Sequence, residues 1–525
     1  MKAHLLYEDQ DFSFPNELPR ILDLHQELPQ HHQDLVQDLE LVTLFNAMCG
    51  GDRFLFEVSM RVILASLDEP EAIVYRQQVL DDCLKHPDLT RELYDIATEA
   101  IDVPSKAWGW SSRYPAAILG GGIKALEMYM DLLRRVRRIA DEHAAEFHSP
   151  GFTTLFGTLQ QELDDDYFQT IGGHLKKLRF KDGVLMSAVL DKANAGVGYV
   201  LRDPGDRHRG WKERIGMGPK NSYSFTIPPR DEAGAEAVGQ LEACGINLVA
   251  NAVAQSADHI RSFFSMLRLE IGFYVCCLKL HDQLAEKGEP LCTPTPVAWD
   301  PPRLSCSGLG DICLSLRLDQ PVVGNDADAD GKSLVMITGA NSGGKSTFLR
   351  SVGLAQLMMQ AGMFVLARSF QGGVARGVFS HFIREEDPTM SSGRLDEELR
   401  RMSMLADHIG PRSLVLFNES FAGTNEHEGS ELGRQVVRAL LESGCKVLFV
   451  THLYDLADSF HRAHPDTTLF LRAERDEGGH RNFKLAVADP LPTSYGEDLY
   501  HRIFDPDPGE PDRRAPAGLS ISAQR

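Results

Sequence analysis

The sequence lacks the marks of several protein classes. Its nine cysteines form no Cys-x-x-Cys pair and no Cys/His spacing suited to zinc, and only Cys276 and Cys277 lie close together. That excludes a disulfide framework and predicts reduced thiols in a cytoplasmic protein. No apolar run approaches the ~20 residues of a membrane span, so no membrane partner is expected. The opening Met1-Lys2-Ala3-His4-Leu5-Leu6-Tyr7 meets Glu8 and Asp9 at once, which leaves no room for a secretory core. Acidic residues outnumber basic ones, 75 Asp and Glu to 54 Lys and Arg. A net charge of −21 argues against indiscriminate coating by nucleic-acid phosphates, although a local basic patch is compatible with it. What remains is a soluble composition, 43% apolar and 25% charged, on 525 residues, enough for two to four domains.

The first 30 residues are polar and proline-punctuated, and predict an irregular lead-in. From His31 the apolar spacing turns helical. Leu35, Leu39, Val42 and Phe45 fall on one stripe up to the break at Gly50-Gly51-Asp52, and a second helix is expected over Phe54 to Leu67. Asp68-Glu69-Pro70 opens a third, with Ile73, Gln77, Leu80 and Cys83 on one face. Two longer stripes follow. Ile123, Leu126, Met130, Leu133, Val136 and Ala140 form one. Ile260, Phe264, Leu267, Ile271, Tyr274 and Leu278 form the other, on a helix predicted from Ala250 to Ala285. Such stripes are core or partner seams, and a pair of long helices can serve as levers.

Between the stripes the pattern changes. Residues 184–190 and 197–201 read as strands, and Tyr223-Ser224-Phe225-Thr226-Ile227 alternates with period two. Lys176, Lys177, Arg179, Lys181, Arg202, Arg207, Arg209, Lys212, Arg214, Lys220 and Arg230 gather over 176–230, interleaved with Trp211, Tyr223 and Phe225. Basic side chains with aromatics suit a contact to DNA, and a solvated charged loop is the plainer reading. Thr293-Pro294-Thr295-Pro296 and Asp300-Pro301-Pro302 then mark a linker or domain entry.

The strongest signal follows. The apolar strand Ser333-Leu334-Val335-Met336-Ile337 runs into Thr338-Gly339-Ala340-Asn341-Ser342-Gly343-Gly344-Lys345-Ser346-Thr347, a complete G-x-x-x-x-G-K-[ST] loop ahead of a helical stretch. Glycines let backbone N–H groups close on phosphates at a helix N-terminus. Lys345 is predicted to reach the β- and γ-phosphates of ATP, and the Ser346 hydroxyl to ligate Mg²⁺. A second apolar strand, Ser413-Leu414-Val415-Leu416-Phe417, ends at Asn418-Glu419. There a P-loop ATPase carries its magnesium-associated residue and then a catalytic carboxylate. Glu419 is the expected general base for the attacking water, and Asn418 the expected neighbour of the metal. A third strand, Lys446-Val447-Leu448-Phe449-Val450, ends at Thr451-His452, where His452 could sense the γ-phosphate. Ser391-Ser392-Gly393 precedes a helix from Arg394, and a Ser cap there favours an anion.

These stretches together resemble the MutS family of DNA mismatch repair ATPases. The resemblance rests on TGANSGGKSTFLRSVGLAQLMMQAGMFVLA, SGRLDEELRRMSML, SLVLFNESFAGTNEHEG and VLFVTHLYDLA. It extends more weakly through DLELVTLFNAMCGGDRFLFEVSMRVILASLDEPEAIVYRQQVLDDCL, which is similar to the family's core domain, and so covers about 31–500. It implies ATPase domains that pair as a homodimer, with Ser392 completing the neighbour's site, Asn341 near the phosphates and Phe421-Ala422-Gly423-Thr424-Asn425-Glu426 at the dimer seam. It also implies that the long helices act as levers and that the basic insert lies near a DNA clamp. The sequence departs from the family in three ways. Too few residues precede the core for mismatch-reading and connector domains, and no Phe-x-Glu motif occurs there. No nuclease-like tail follows, which sets the chain apart from the recombination-suppressing branch. Asn418 stands where the family has Asp.

The expectation is therefore a multidomain protein. An all-α core and lever domain over 31–291 carries a β-containing insert near 184–230. An α/β P-loop NTPase domain of the ABC-type ATPase class follows over 292–505, and the Pro-, Gly- and charge-rich tail over 506–525 is expected to be disordered. The expected function is that of a MutS-related ATP-hydrolysing homodimeric switch, associated with DNA in repair or recombination but without standard mismatch reading. The alternative is a nucleotide-sensing scaffold that binds a protein and turns over slowly or not at all.

Overall fold

A computed structural model describes residues 2–8, 28–29, 31–106, 114–181, 183–193, 195–202, 224–339, 343–384, 393–475 and 481–491. The chain forms two compact units. One comprises Met1–Gln26, Met48–Val62 and Val74–His281, the other Glu27–Ala47, Ile63–Ile73 and Asp282–Arg525.

The first unit is helical. Its long elements are Pro115–His143 and most of Glu232–Glu286, packed with Pro87–Ile101, Pro150–Glu162 and Asp165–Lys177. The two expected stripes are its core: Leu133, Val136, Phe264, Leu267 and Ile271 are fully buried, and the Tyr129 and Phe264 rings stack at 6.2 Å. The long helices approach closely at Gly122, where a Cβ would come within 2.7 Å of a Val253 methyl. Met186–Leu190 and Gly196–Leu201 pair as an antiparallel hairpin, as the apolar runs predict.

Several elements differ from expectation. The second long helix begins at Glu232 rather than near Ala250, and its 55 residues correspond to roughly 80 Å at 1.5 Å each. Its first turns carry exposed Val238, Leu241 and Leu248. Gly234, Gly239 and Gly245 lie within these turns, and glycine weakens the helical signal of a sequence. The stretch from Leu35 to Phe45 is two helices, His32–Asp38 and Leu41–Cys49, broken where Glu40 takes a left-handed φ of 55°, and Val42 is 47% exposed instead of lying on the stripe. The next helix is Arg53–Leu64 and ends before Leu67. Residues 224–227 form no strand, and Tyr223 lies outside the described residues. The proline stretch after Cys292 is not a free linker: Thr295–Val297 pairs in parallel with Ser369–Gly373, at the edge of a four-stranded sheet where a Pro costs no ladder bond.

The second unit is built on a six-stranded sheet. Gly377–Phe382, Ser413–Asn418, Lys446–Val450, Leu334–Gly339, Thr468–Arg475 and Arg481–Val487 lie side by side in that order. The first five run parallel and the last is antiparallel. Strands buried on both faces read as continuous apolar runs, which is why Leu334–Gly339, Ser413–Asn418 and Lys446–Val450 were visible in the sequence, whereas the other three strands of the sheet were not anticipated. On one face Met336, Val415, Phe417 and Phe449 pack with Val437, Leu456 and Phe460 from the helices Glu426–Glu442 and Tyr454–Ala463. The other face takes the helix Lys345–Gln360, so close that a Cβ on Gly353 would lie 2.6 Å from Leu416.

Candidate active site

The carboxyl ends of three adjacent parallel strands meet at one edge of this sheet. There the chain must turn back, and ligands of open α/β sheets settle there. Hydrogen bonds lock these ends to one another and to the end of Gly377–Phe382. Thr451 N–H donates to the Ile337 carbonyl at 3.0 Å, Glu419 N–H to Val450 at 2.8 Å, and Ile383 N–H to Asn418 at 3.0 Å.

Two glycines shape the central turn. Gly339 has φ of +105°, and a Cβ there would come within 2.9 Å of Ala473 N. Gly344, at φ +90°, caps the helix Lys345–Gln360 and leaves 3.3 Å between its imagined Cβ and the Phe483 carbonyl. The helix therefore starts from a residue without a side chain, the kind of N-terminus that can cradle an anion. Gly343 is buried and Thr347 half-buried. Ala340, Asn341 and Ser342 lie outside the described residues.

Lys345 is 4% exposed and donates from Nζ to the Gly339 carbonyl at 2.7 Å. Burial lowers its pKa, and the Glu419 carboxylate works against that shift, which makes the two side chains electrostatic neighbours. The Ser346 hydroxyl donates to Asn418 Oδ1 at 2.7 Å. Thus Gly339, Gly344, Lys345, Ser346, Asn418 and Glu419, scattered over about 80 positions of sequence, share one strand-end edge. Glu419 itself adopts a left-handed φ of 54°. His452 follows buried Thr451 and is exposed to solvent. No hydrogen bond joins it to these residues among the contacts described.

Ser392 lies outside the described residues. The helix after it, Arg394–Ala406, is capped by Gly393 without a side-chain bond, so the expected Ser cap is replaced by a glycine in extended conformation. Asn425 instead provides a true side-chain cap, accepting from Glu428 N–H at 3.0 Å to start Glu426–Glu442.

Sequence reading missed two groups at the rim. Asn325 donates from Nδ2 to the Phe483 carbonyl at 3.2 Å and accepts from Leu485 N–H at 2.8 Å, which fixes the strand that faces Gly344. Phe483 is 46% exposed with φ of 56°. Neither belongs to a local motif, so only the fold reveals them.

The basic stretch is part of the helical unit. Lys176, Lys177, Arg179 and Lys181 are exposed, with Arg179 paired to Glu127 at 2.6 Å. Arg202 donates to Ser187 Oγ at 2.9 Å, Phe225 is 80% exposed, and Arg230 stands at φ 88°. Arg207, Arg209, Trp211, Lys212, Arg214 and Lys220 fall outside the described residues. Among the described residues no helix is long and apolar enough to cross a membrane.

Two family models match the chain: the MutS2 N-terminal domain over residues 68–287 and MutS domain V over residues 335–504. The DNA mismatch repair protein MutS of Chloroflexus aurantiacus is 32% identical over 189 residues, 33% of this chain and 20% of that protein. The Thermotoga neapolitana MutS is 34% identical over 192 residues, 36% of this chain and 24% of the relative. MutS protein homolog 4 of Homo sapiens is 26% identical over 249 residues, 45% of this chain and 25% of the relative. The matches thus span a fifth to a quarter of the length of these relatives. It is the match on 68–287, and not the way the sequence ends, that bears on which branch of relatives the helical part follows.

Proposed function

Because the chain belongs to the MutS family, we propose that it is an ATP-binding and ATP-hydrolysing switch, cytoplasmic and homodimeric, that acts on DNA in repair or recombination. On this reading residues 292–505 form a P-loop NTPase domain of the ABC type and 31–291 a core and lever domain. The observation that carries it is the strand-end cluster, in which the Ser346 hydroxyl meets Asn418 Oδ1 at 2.7 Å beside Lys345 and Glu419.

The residues fit the nucleotide. Gly339 and Gly344 hold left-handed backbone where a Cβ would crowd Ala473 and Phe483, and buried Lys345 directs its ammonium to the Gly339 carbonyl. With ATP bound, Lys345 turns from Gly339 to the β- and γ-phosphate oxygens, while N–H groups of 339–347 hold the phosphates. Ser346 and Asn418 offer oxygen donors only, which suits Mg²⁺; the ion would neutralise charge on the β- and γ-oxygens. Glu419 accepts a proton from water as that water attacks the γ-phosphorus. The bond to the β-phosphate oxygen breaks, ADP departs, and the γ-phosphoryl group leaves as phosphate. His452, after the end of the strand Lys446–Val450, would serve as the γ-phosphate sensor. Ser392 of the partner subunit would complete the site. ATP would favour one arrangement of the long helices, and hydrolysis would release it.

A second reading has its own support. The net charge of −21 and the Glu127 partner of Arg179 weaken the case for DNA, and favour a nucleotide-sensing scaffold for a protein partner. A salt-titrated DNA-binding assay with and without ATP separates the two. ATP-dependent binding that weakens with salt, and is lost when Lys176, Lys177 and Lys181 are changed to Glu, supports the switch on DNA. Absence of binding at low salt in both nucleotide states supports the scaffold.

A further inference from the structure

Behind Glu419 lies a buried polar cluster that the proposed reaction does not use. The turn after the strand Ser413–Asn418 places two non-glycine residues in left-handed conformation, Glu419 at φ 54° and Phe421 at φ 66°. Ser420 between them is completely buried. Such backbone persists only where the surroundings dictate it, and it gathers at functional sites.

The surroundings are specific. Phe421 N–H donates to Glu398 Oε2 at 2.7 Å, and Glu398 is 1% exposed on the inner face of the helix Arg394–Ala406. The Ser420 hydroxyl lies 2.7 Å from both the carbonyl oxygen and Nδ1 of His381, at the end of the neighbouring strand. His381 Nε2 is 3.1 Å from the Glu398 carbonyl oxygen, and the His381 ring stacks on that of Phe421 at 5.8 Å. Burial pushes the imidazole down to about 4, so the ring is neutral. A neutral ring can carry its proton at Nε2 toward that carbonyl, which leaves Nδ1 and the His381 carbonyl to share the one proton of the Ser420 hydroxyl. The second oxygen of Glu398 has no hydrogen-bond partner among the described residues and lies 3.7 Å from Arg394 Nε.

We propose that Glu398 and His381 are positioning residues for Glu419: through Phe421 and Ser420 they hold the turn that aims its carboxylate, and they tie that aim to the helix Arg394–Ala406. The link rests on the reading of Glu419 as the base. It extends that reading, because the helix that supplies Glu398 begins two residues after Ser392. Any event that shifts the start of this helix pulls on the turn that carries the base.

The test uses the full chain and compares Glu398→Met, which removes the acceptor, with Glu398→Gln, which keeps an acceptor oxygen and nearly the same shape. Expected is a fall in kcat of about 10- to 100-fold for Glu398→Met, the scale of a misplaced reacting group. ATP affinity should stay within about threefold, and Glu398→Gln should recover most of the rate. Ser420→Ala, a smaller change, should lower kcat in the same way without loss of nucleotide binding. In a Glu419→Gln background, single-turnover hydrolysis should show no further loss from Glu398→Met, since both act through one group. A parental kcat in Glu398→Met, equal losses in Met and Gln variants, or additive losses on Glu419→Gln would each overturn the proposal. Glu419→Gln measured alone isolates the premise: parental hydrolysis there removes the base, whereas a slow Glu419→Gln beside a parental Glu398→Met removes only the link.

Discussion

The strand ends of the second unit and the paired long helices of the first are both assembled from buried apolar side chains, yet they constrain their polar residues differently. At the strand ends the polar groups are held where chemistry can use them. Lys345 faces Gly339, Ser346 faces Asn418, and the Glu419 backbone is pinned by Val450. Along the helices the polar groups that are buried serve packing. Glu270 accepts the N–H groups of Leu5 and Leu6 at 2.5 and 2.9 Å, and Tyr274 donates to the Leu5 carbonyl at 2.5 Å, which clasps the amino-terminal segment onto the helix. The contrast teaches that a change at the first place should remove chemistry and spare the fold, while a change at the second should alter stability and spare the chemistry.

The sharpest separation comes from Lys345→Ala. No neighbouring cation replaces that charge among the contacts described, so ATP turnover should fall by roughly 10³-fold, the scale of losing one preorganised donor to the transferring group. The unfolding transition should persist, because a buried ammonium contributes little to stability once its desolvation is counted. Turnover within a few-fold of the parent would break the comparison at its strongest point.

In the helical unit the matching change is Glu270→Gln. Burial raises the Glu270 carboxyl to about 7, against the pull of the Leu6 and Leu5 N–H groups and of Arg76. The folded state therefore holds a proton that the unfolded chain releases near 4.5. Stability from this group is complete below about 4.5 and is lost as pH rises through about 7. Gln cannot titrate and keeps an oxygen for both N–H groups. The variant should show a flatter stability profile between about pH 5 and 8, with a gain over the parent on the order of 3 kcal/mol at the upper end. Urea unfolding across that range reads it, and parallel profiles for the two proteins would contradict it. ATP turnover per folded molecule should be unchanged.

The smallest expected effect concerns Asn418. An amide keeps the acceptor that Ser346 uses but lacks the negative charge of a carboxylate beside a dication. Asn418→Asp should lower the magnesium concentration for half-maximal hydrolysis by up to about tenfold, the scale of a change in the groups around a metal's own ligands. A requirement that stays the same or rises would place Asn418 away from the metal.

Legibility in the sequence followed how local each feature is. The glycine loop, Lys345, Ser346 and the Asn418-Glu419 strand end could be read because neighbouring residues carry the whole pattern. The stripes of the long helices were legible for the same reason, since Leu133 and Phe264 repeat at helical spacing. Three features were hidden by distance or by exposure. Glu398 and Phe421 meet across 23 positions, and nothing in either stretch announces the other. The first turns of Glu232–Glu286 display Val238 and Leu248 to solvent and carry Gly234, Gly239 and Gly245, which mask them as helix. Thr295–Val297 gains its strand identity only from pairing with Ser369–Gly373, and its prolines read as a linker until that partner is seen.

The central claim is that Glu419, held at the strand ends beside Lys345, is the base for ATP hydrolysis. Its most direct test measures nucleotide binding and single-turnover hydrolysis on the same preparation of Glu419→Gln. The account predicts ATP affinity close to the parent and hydrolysis slower by about 10²-fold or more, the contribution of a positioned base. Hydrolysis at the parental rate, with ATP bound as tightly as before, would contradict it.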